Sequence, residues 1–263
     1  MAVEVLYGLP LWLIFLILIG LLLAADEVGY RVGRRKRDAS TELARSQFSH
    51  IQGALFGLFA LLLGFTFAMA LTRFDERTDM VVREANAIGT AALGAELLPE
   101  PQRTQMAALI HRYIDVRVEA GGGNLQTPRW RALNEEAARL QDQLWQQAVA
   151  AAEAHPQSIP VGWTLQSVSA VGDAKEDRYA AQENHVPETV LLLLIAFAIL
   201  TSGSIGYGNA LAGGRALLTA VLFTLLIVNV LMLIIDLDRP SRGLIAVSQE
   251  PMIKLQKSLN APK

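Results

Sequence analysis

Four uninterrupted apolar stretches decide most of what this chain can become. They run from Leu6 to Ala25, Ile51 to Leu71, Thr189 to Ala212 and Ala216 to Ile235, and none contains an internal Asp, Glu, Lys or Arg. Each comes close to the ~20 residues an α-helix needs to cross ~30 Å of hydrocarbon. With 52% hydrophobic and 18% charged residues and a mean hydropathy of +0.32, the chain is suited to a bilayer rather than to water. The first stretch is expected to stay in the protein: it lacks a basic leading segment, is long for a signal sequence and has no small-x-small cleavage site.

The expected fold is all-α, with four transmembrane helices and a helical extramembrane insert between the second and third. Residues 1–72 form a first transmembrane hairpin, 73–187 the insert, 188–236 a second transmembrane hairpin and 237–263 a C-terminal tail. Tyr7 and Trp12 are placed as interfacial anchors of the first helix. After Asp26 a short connection carries the basic run Gly33 to Arg37, a topology determinant suited to anionic headgroups. The second stretch continues without proline, so one helix is predicted from about Phe48 past Ala91, stopped by Pro99 and Pro101. Met106, Leu109, Ile110, Tyr113 and Ile114 recur at helical spacing from Gln102 to Val118, before Gly121, Gly122 and Gly123 interrupt. A helix is predicted from Pro128 to Ala154, a loop over residues 155–162, and a further helix from about Trp163 to Asn184 that contains Gly172. Pro187 and Glu188 suit the start of the third apolar helix, and the small residues from Thr201 to Gly214 suit close helix packing.

A net charge of -2 gives no electrostatic case for nucleic acid. With no cysteine, disulfides, thiolate catalysis and Cys-ligated metals are excluded. His50, His111, His155 and His185 are scattered, with no two at i, i+3 or i, i+4, so no metal site is expected. The chain has no nucleophile elbow, phosphate loop or dinucleotide fingerprint; neither a catalytic residue nor a cofactor is expected. The one conspicuous constellation follows the second apolar stretch, where Arg73, Asp75, Glu76, Arg77, Asp79, Arg83 and Glu84 crowd the helix exit. Arg73 with Glu76 and Asp79 with Arg83 have the spacing of intrahelical ion pairs, and Arg73, Asp75, Glu76 and Arg77 fit either inter-helix pairing or an ion vestibule.

The segment LLLGFTFAMALTRFDER, Leu61 to Arg77, resembles the second transmembrane helix of bestrophin anion channels. The resemblance lies in Gly64 and Phe65 followed by Thr72, Arg73 and Phe74. The strings EANAIGTAAL and LDRPSRGLIAVSQ are similar to the bestrophin-like family of bacterial membrane proteins, a likeness that covers nearly the whole chain. The resemblance implies five copies around one axis, with the second helix lining a narrow apolar neck. It places Leu61 and Phe65 on that neck, and Gly57 where a third bulky residue is expected, a departure that widens or shortens the neck at one layer. Gly57, Leu61, Phe65, Ala68 and Thr72 do share one helical face, which can line a pore closed by expelled water or pack inside a solid bundle. The calcium-binding acidic cluster of animal bestrophins is represented only by Asp236 and Asp238, so no calcium gating is expected.

Basic residues do not decide the topology. Arg31, Arg34, Arg35, Lys36, Arg37, Arg45 and Arg215 lie on one side against Arg73, Arg77, Arg83, Lys175, Arg178, Arg239, Arg242 and Lys254 on the other. Bestrophin topology implies a cytoplasmic insert. The expectation is therefore a multi-pass protein of the bacterial inner membrane, in contact with lipid. It is expected to be a homo-oligomeric ion channel, a pentamer by resemblance, that passes small anions. The alternative is a non-conducting membrane scaffold or sensor whose insert binds a partner. A secondary transporter is disfavoured by the lack of an intramembrane charge or inverted repeat.

Overall fold

The computed structural model describes residues 9–121, 127–239 and 245–261. Tyr7, Gly122, Gly123 and Arg242 fall outside them. The described residues form eight helices and no strand: α1 (Leu11–Lys36), α2 (Glu42–Glu96), α3 (Gln102–Gly121), α4 (Pro128–Ala154), α5 (Ile159–Glu183), α6 (Glu188–Ala212), α7 (Leu217–Leu237) and α8 (Glu250–Leu259). Four segments are long and apolar enough to cross a membrane: α1, α2, α7 and the stretch Ile159–Ala212, whose apolar half is α6. At 55 residues α2 is about 80 Å long, more than twice what a bilayer core requires.

The chain divides into two compact units, one of residues 1–72, 185–239 and 243–245, the other of residues 73–184, 240–242 and 246–263. In the first, α1 runs against α6 at backbone contact. A Cβ added to Gly29 would lie 1.9 Å from the Gly203 carbonyl oxygen, and one on Gly206 would lie 1.9 Å from that of Asp26. Such proximity is open only to glycine, the packing expected of the small residues in the third apolar stretch. Ile14, Leu18 and Leu22, one turn apart on α1, are buried with Leu194 and Ala198 of α6 and Ile227, Val228 and Leu231 of α7. Ser202 Oγ donates to the Leu22 carbonyl at 2.8 Å. Contrary to the expected connection after Asp26, α1 continues through the basic run. Arg34, Arg35 and Lys36 fill its last turn, where cations oppose the negative end of the helix dipole.

In the second unit, residues 73–96 of α2 pack with α3, α4, α5 and α8. Val81, Ile88, Met106, Ile110, Ile114, Leu144 and Val171 form its apolar core. Thr127 caps α4 by accepting from the Trp130 amide, and Ser158 caps α5 by accepting from that of Val161. That cap, with Pro160 in the first turn, shortens the expected loop and starts α5 at Ile159, and Gly172 is carried inside a continuous helix. The tail is not wholly irregular either: α8 buries Met252 completely, Gln256 Nε2 donates to Asp115 Oδ1 at 2.7 Å, and Asn260 Oδ1 lies 2.9 Å from His111 Nδ1.

Candidate functional site

Gly57, Leu61, Phe65, Ala68 and Thr72 are all exposed on α2, Leu61 by 55% and Phe65 by 65%. No atom lies within 4 Å of a Cβ built on Gly57. At 100° per residue these five positions fall within an arc of about 80°. Phe59, Thr66 and Ala70, near the opposite side of the helix, are buried. Among the described residues nothing covers this face, so within one subunit they do not pack it into a solid bundle. The only hydroxyl on it is turned inward, since Thr72 Oγ1 donates to the Ala68 carbonyl at 3.0 Å. What remains is a ladder of glycine, alanine and two bulky apolar side chains.

The charged residues that follow do not act as one cluster. Asp75 and Glu76 are exposed and Arg73 is half-buried, whereas Arg77 is only 2% exposed. Its Nε donates to the Ala181 carbonyl at 3.2 Å and its Nη2 to that of Asn184 at 2.8 Å, where the last carbonyls of α5 have no intrahelical donor. Arg77 thus ties α2 to α5 rather than lining a vestibule. The expected Arg73–Glu76 and Asp79–Arg83 pairs do not form among the described residues. A solvent-exposed pair at such spacing gains only tenths of a kcal/mol, easily lost to side-chain entropy.

The ionic centre lies two turns beyond Arg77. Glu84, fully buried, accepts from Arg117 at 2.5 Å (Nε) and 2.9 Å (Nη2) and from Arg178 Nη1 at 2.6 Å. Burial pushes the Glu84 carboxyl up, but the two guanidiniums outweigh it and hold it below the ordinary carboxylate range. Arg117 also donates to Asn134 Oδ1 at 3.3 Å and to the Tyr179 hydroxyl at 3.1 Å, and Arg178 donates to Gln249 Oε1 at 2.8 Å. In the sequence Glu84 is simply the last member of the charged run that begins at Arg73. The signal that separates it is periodic: Arg77, Val81, Glu84, Ile88, Ala91 and Ala95 form one 3.6-residue stripe, apolar except for these two charges.

Asp236 and Asp238 serve the backbone. The Val186 amide donates to Asp238 at 3.1 Å (Oδ1) and 3.0 Å (Oδ2), and the Ile245 amide donates to Asp236 Oδ2 at 3.0 Å. Among the described residues no group of three or more His, Cys, Asp or Glu is placed to hold a metal ion.

A family model described as the bestrophin-like domain matches residues 14–252, a span that takes in both units. The chain belongs to the bestrophin-like family. Its helices superpose on a crystal structure of a bacterial bestrophin homologue from Klebsiella pneumoniae with a TM-score of 0.65 at 15% identity, over 93% of this chain and 96% of that one. A single-residue variant of that homologue gives 0.66 at 15% identity over 93% and 97%. A structure described as a membrane protein variant gives 0.65 at 16% over 92% and 97%. No curated protein matches the chain. At such identities the likeness is one of fold. Side-chain roles in this bestrophin-like protein rest on its own geometry, foremost on the uncovered face of α2.

Proposed function

We propose that this protein is a homo-oligomeric ion channel of the bacterial inner membrane that passes small anions through a pore lined by α2. The observation that carries the reading is the uncovered face of α2. It spans about four turns of a membrane-length apolar helix in a chain whose family and fold are bestrophin-like. Gathered around an axis, the Leu61 and Phe65 side chains make two apolar rings, a constriction that opposes hydrated ions by expelling water. The ring at Gly57 stays open. A pentamer and a preference for anions are the arrangement implied by the likeness of residues 61–77 to bestrophin anion channels. In this reading residues 73–187 form the extramembrane insert, on the cytoplasmic side, and Asp75 and Glu76 stand where the pore leaves the membrane.

Reconstitution into planar bilayers tests it. The purified protein should conduct, and Leu61→Ala or Phe65→Ala should raise open-state current by widening a ring. Because Asp236 and Asp238 are occupied with backbone amides, micromolar calcium should leave the current unchanged. Silent bilayers from a properly assembled oligomer would instead favour a non-conducting scaffold.

A further inference from the structure

Where α1 leaves its apolar stretch, the first unit carries cations without a counter-charge. Glu27 is taken twice, by Arg31 at 2.7 Å and by Arg215. Arg34, Arg35, Lys36, Arg37 and Arg45 are exposed, and among the described residues none of them pairs with a carboxylate, although Asp38 and Glu42 are close in sequence. The fold nevertheless fixes the backbone that bears them. Ser40 Oγ donates to the Lys36 carbonyl at 2.7 Å and Arg45 Nη2 to that of Arg37 at 3.1 Å, which closes the end of α1. The Arg37 guanidinium rests on the turn after α6: a Cβ on Gly213, whose φ of 85° already favours glycine, would lie 2.6 Å from Arg37 Nη2. A topology determinant requires charge at a membrane end, but not charge in a fixed register.

A neighbouring cation sets the height of these residues. The Arg215 guanidinium lies 5.1 Å from the Tyr30 ring and stands two residues before α7 begins at Leu217, where Leu217 and Leu218 are exposed. Tyr30 is thus level with the start of an apolar helix, the place that suits an interfacial aromatic ring. Arg34, Arg35 and Lys36 follow about 6–9 Å further along α1 at 1.5 Å per residue. The headgroup layer on each side of a bilayer is about 5–8 Å deep, so these cations stand at headgroup height. Below them α1 carries an apolar ladder that the described residues leave uncovered. Ile17, Leu21 and Val28 are exposed by 50%, 40% and 61%. At 100° per residue they and Arg35 fall within an arc of about 40°. Cations above an apolar ladder on one helix side complement a phosphate that is joined to acyl chains.

We propose that this end of the first unit binds an anionic phospholipid, its headgroup phosphate held by Arg34, Arg35 and Lys36 and its acyl chains laid along Ile17, Leu21 and Val28. The site shares no residue with the α2 face assigned to conduction and does not depend on the channel reading.

Thermal unfolding of the full-length protein in detergent, with phosphatidylglycerol or phosphatidylcholine of the same chain length added, tests this. Phosphatidylglycerol should raise the Tm along a saturating curve, and phosphatidylcholine should not. The triple variant Arg34→Gln, Arg35→Gln, Lys36→Gln alters only exposed side chains, so its Tm in phosphatidylcholine should be unchanged. It should need at least about tenfold more phosphatidylglycerol for half of the effect, since each cation near an anionic surface multiplies affinity by roughly five. A matched loss of charge in the second unit, Arg103→Gln, Arg112→Gln, Arg139→Gln, should leave the response intact. If the first triple variant is not recovered, Arg35→Glu alone should weaken the response at least about fivefold. Glycerol phosphate, which has the headgroup charge without the chains, should give no shift. Equal responses in the two triple variants, equal shifts from the two lipids, or a shift from glycerol phosphate matching that from phosphatidylglycerol would overturn the proposal. So would a smaller particle for the Arg34, Arg35 and Lys36 variant, which would assign the surface to a neighbouring copy.

Discussion

A single carboxylate, Glu84, holds two arginines from two other helices, and its removal exposes how the insert is tied together. Breaking a buried pair by deleting one partner costs about 3–5 kcal/mol, because the remaining charge is stranded. Glu84→Ala should lose stability of that order in chemical denaturation, whereas removal of the exposed Glu76 should lose almost none. The carboxyl is held below its ordinary range in the folded protein, so its contribution is complete above that range and disappears as pH falls below about 4.5 through the folded pKa. Stability measured against pH should therefore fall more gently on the acid side in Glu84→Gln than in the unsubstituted protein. This role was half legible beforehand. The charge-rich run was plain, but only its phase relative to Val81 and Ile88 separates Arg77 and Glu84 from their solvated neighbours, and the arginines that meet Glu84 are 33 and 94 residues away. No local pattern announces such partners.

Among elements, the α1–α6 contact has the least tolerance. Because a Cβ on Gly206 would overlap the Asp26 carbonyl, Gly206→Val must separate the helices, and a loss of at least about 1–3 kcal/mol is expected from forced overpacking. Fluorescence-detected size exclusion after heating should show it as a lowered Tm and poor recovery of folded protein. Gly57→Ala, at a position with open space, should leave the Tm unchanged. Helix order and number in the membrane were readable from hydropathy, and the small-residue run of α6 from composition. Gly29 and Gly33 on α1 carry no packing signal in the sequence, since the apolar stretch before them gives no phase to mark which side faces a neighbour. The helix in the tail was missed for a related reason. At 10 residues α8 is too short to be stable alone, and its fixed points, Met252, Gln256 and Asn260, are supplied by α3 and the surrounding core.

For the whole molecule, membership of the bestrophin-like family and the all-α membrane fold agree with what the strings EANAIGTAAL and LDRPSRGLIAVSQ and the four apolar stretches suggested. Oligomerisation and sidedness belong to this scale, because neither balanced basic residues nor one chain's exposed face carries them. A fluorescent protein fused after Lys263 should glow, as expected for a cytoplasmic insert and tail, while alkaline phosphatase at the same point should be inactive. The most direct measurement is electron cryo-microscopy of the full-length protein in lipid nanodiscs. We expect five subunits around a central axis, with Leu61 and Phe65 of each α2 ringing an opening that continues past Gly57. A particle in which that face meets lipid, or a monomer with no shared axis, would contradict the assignment of α2 to a pore.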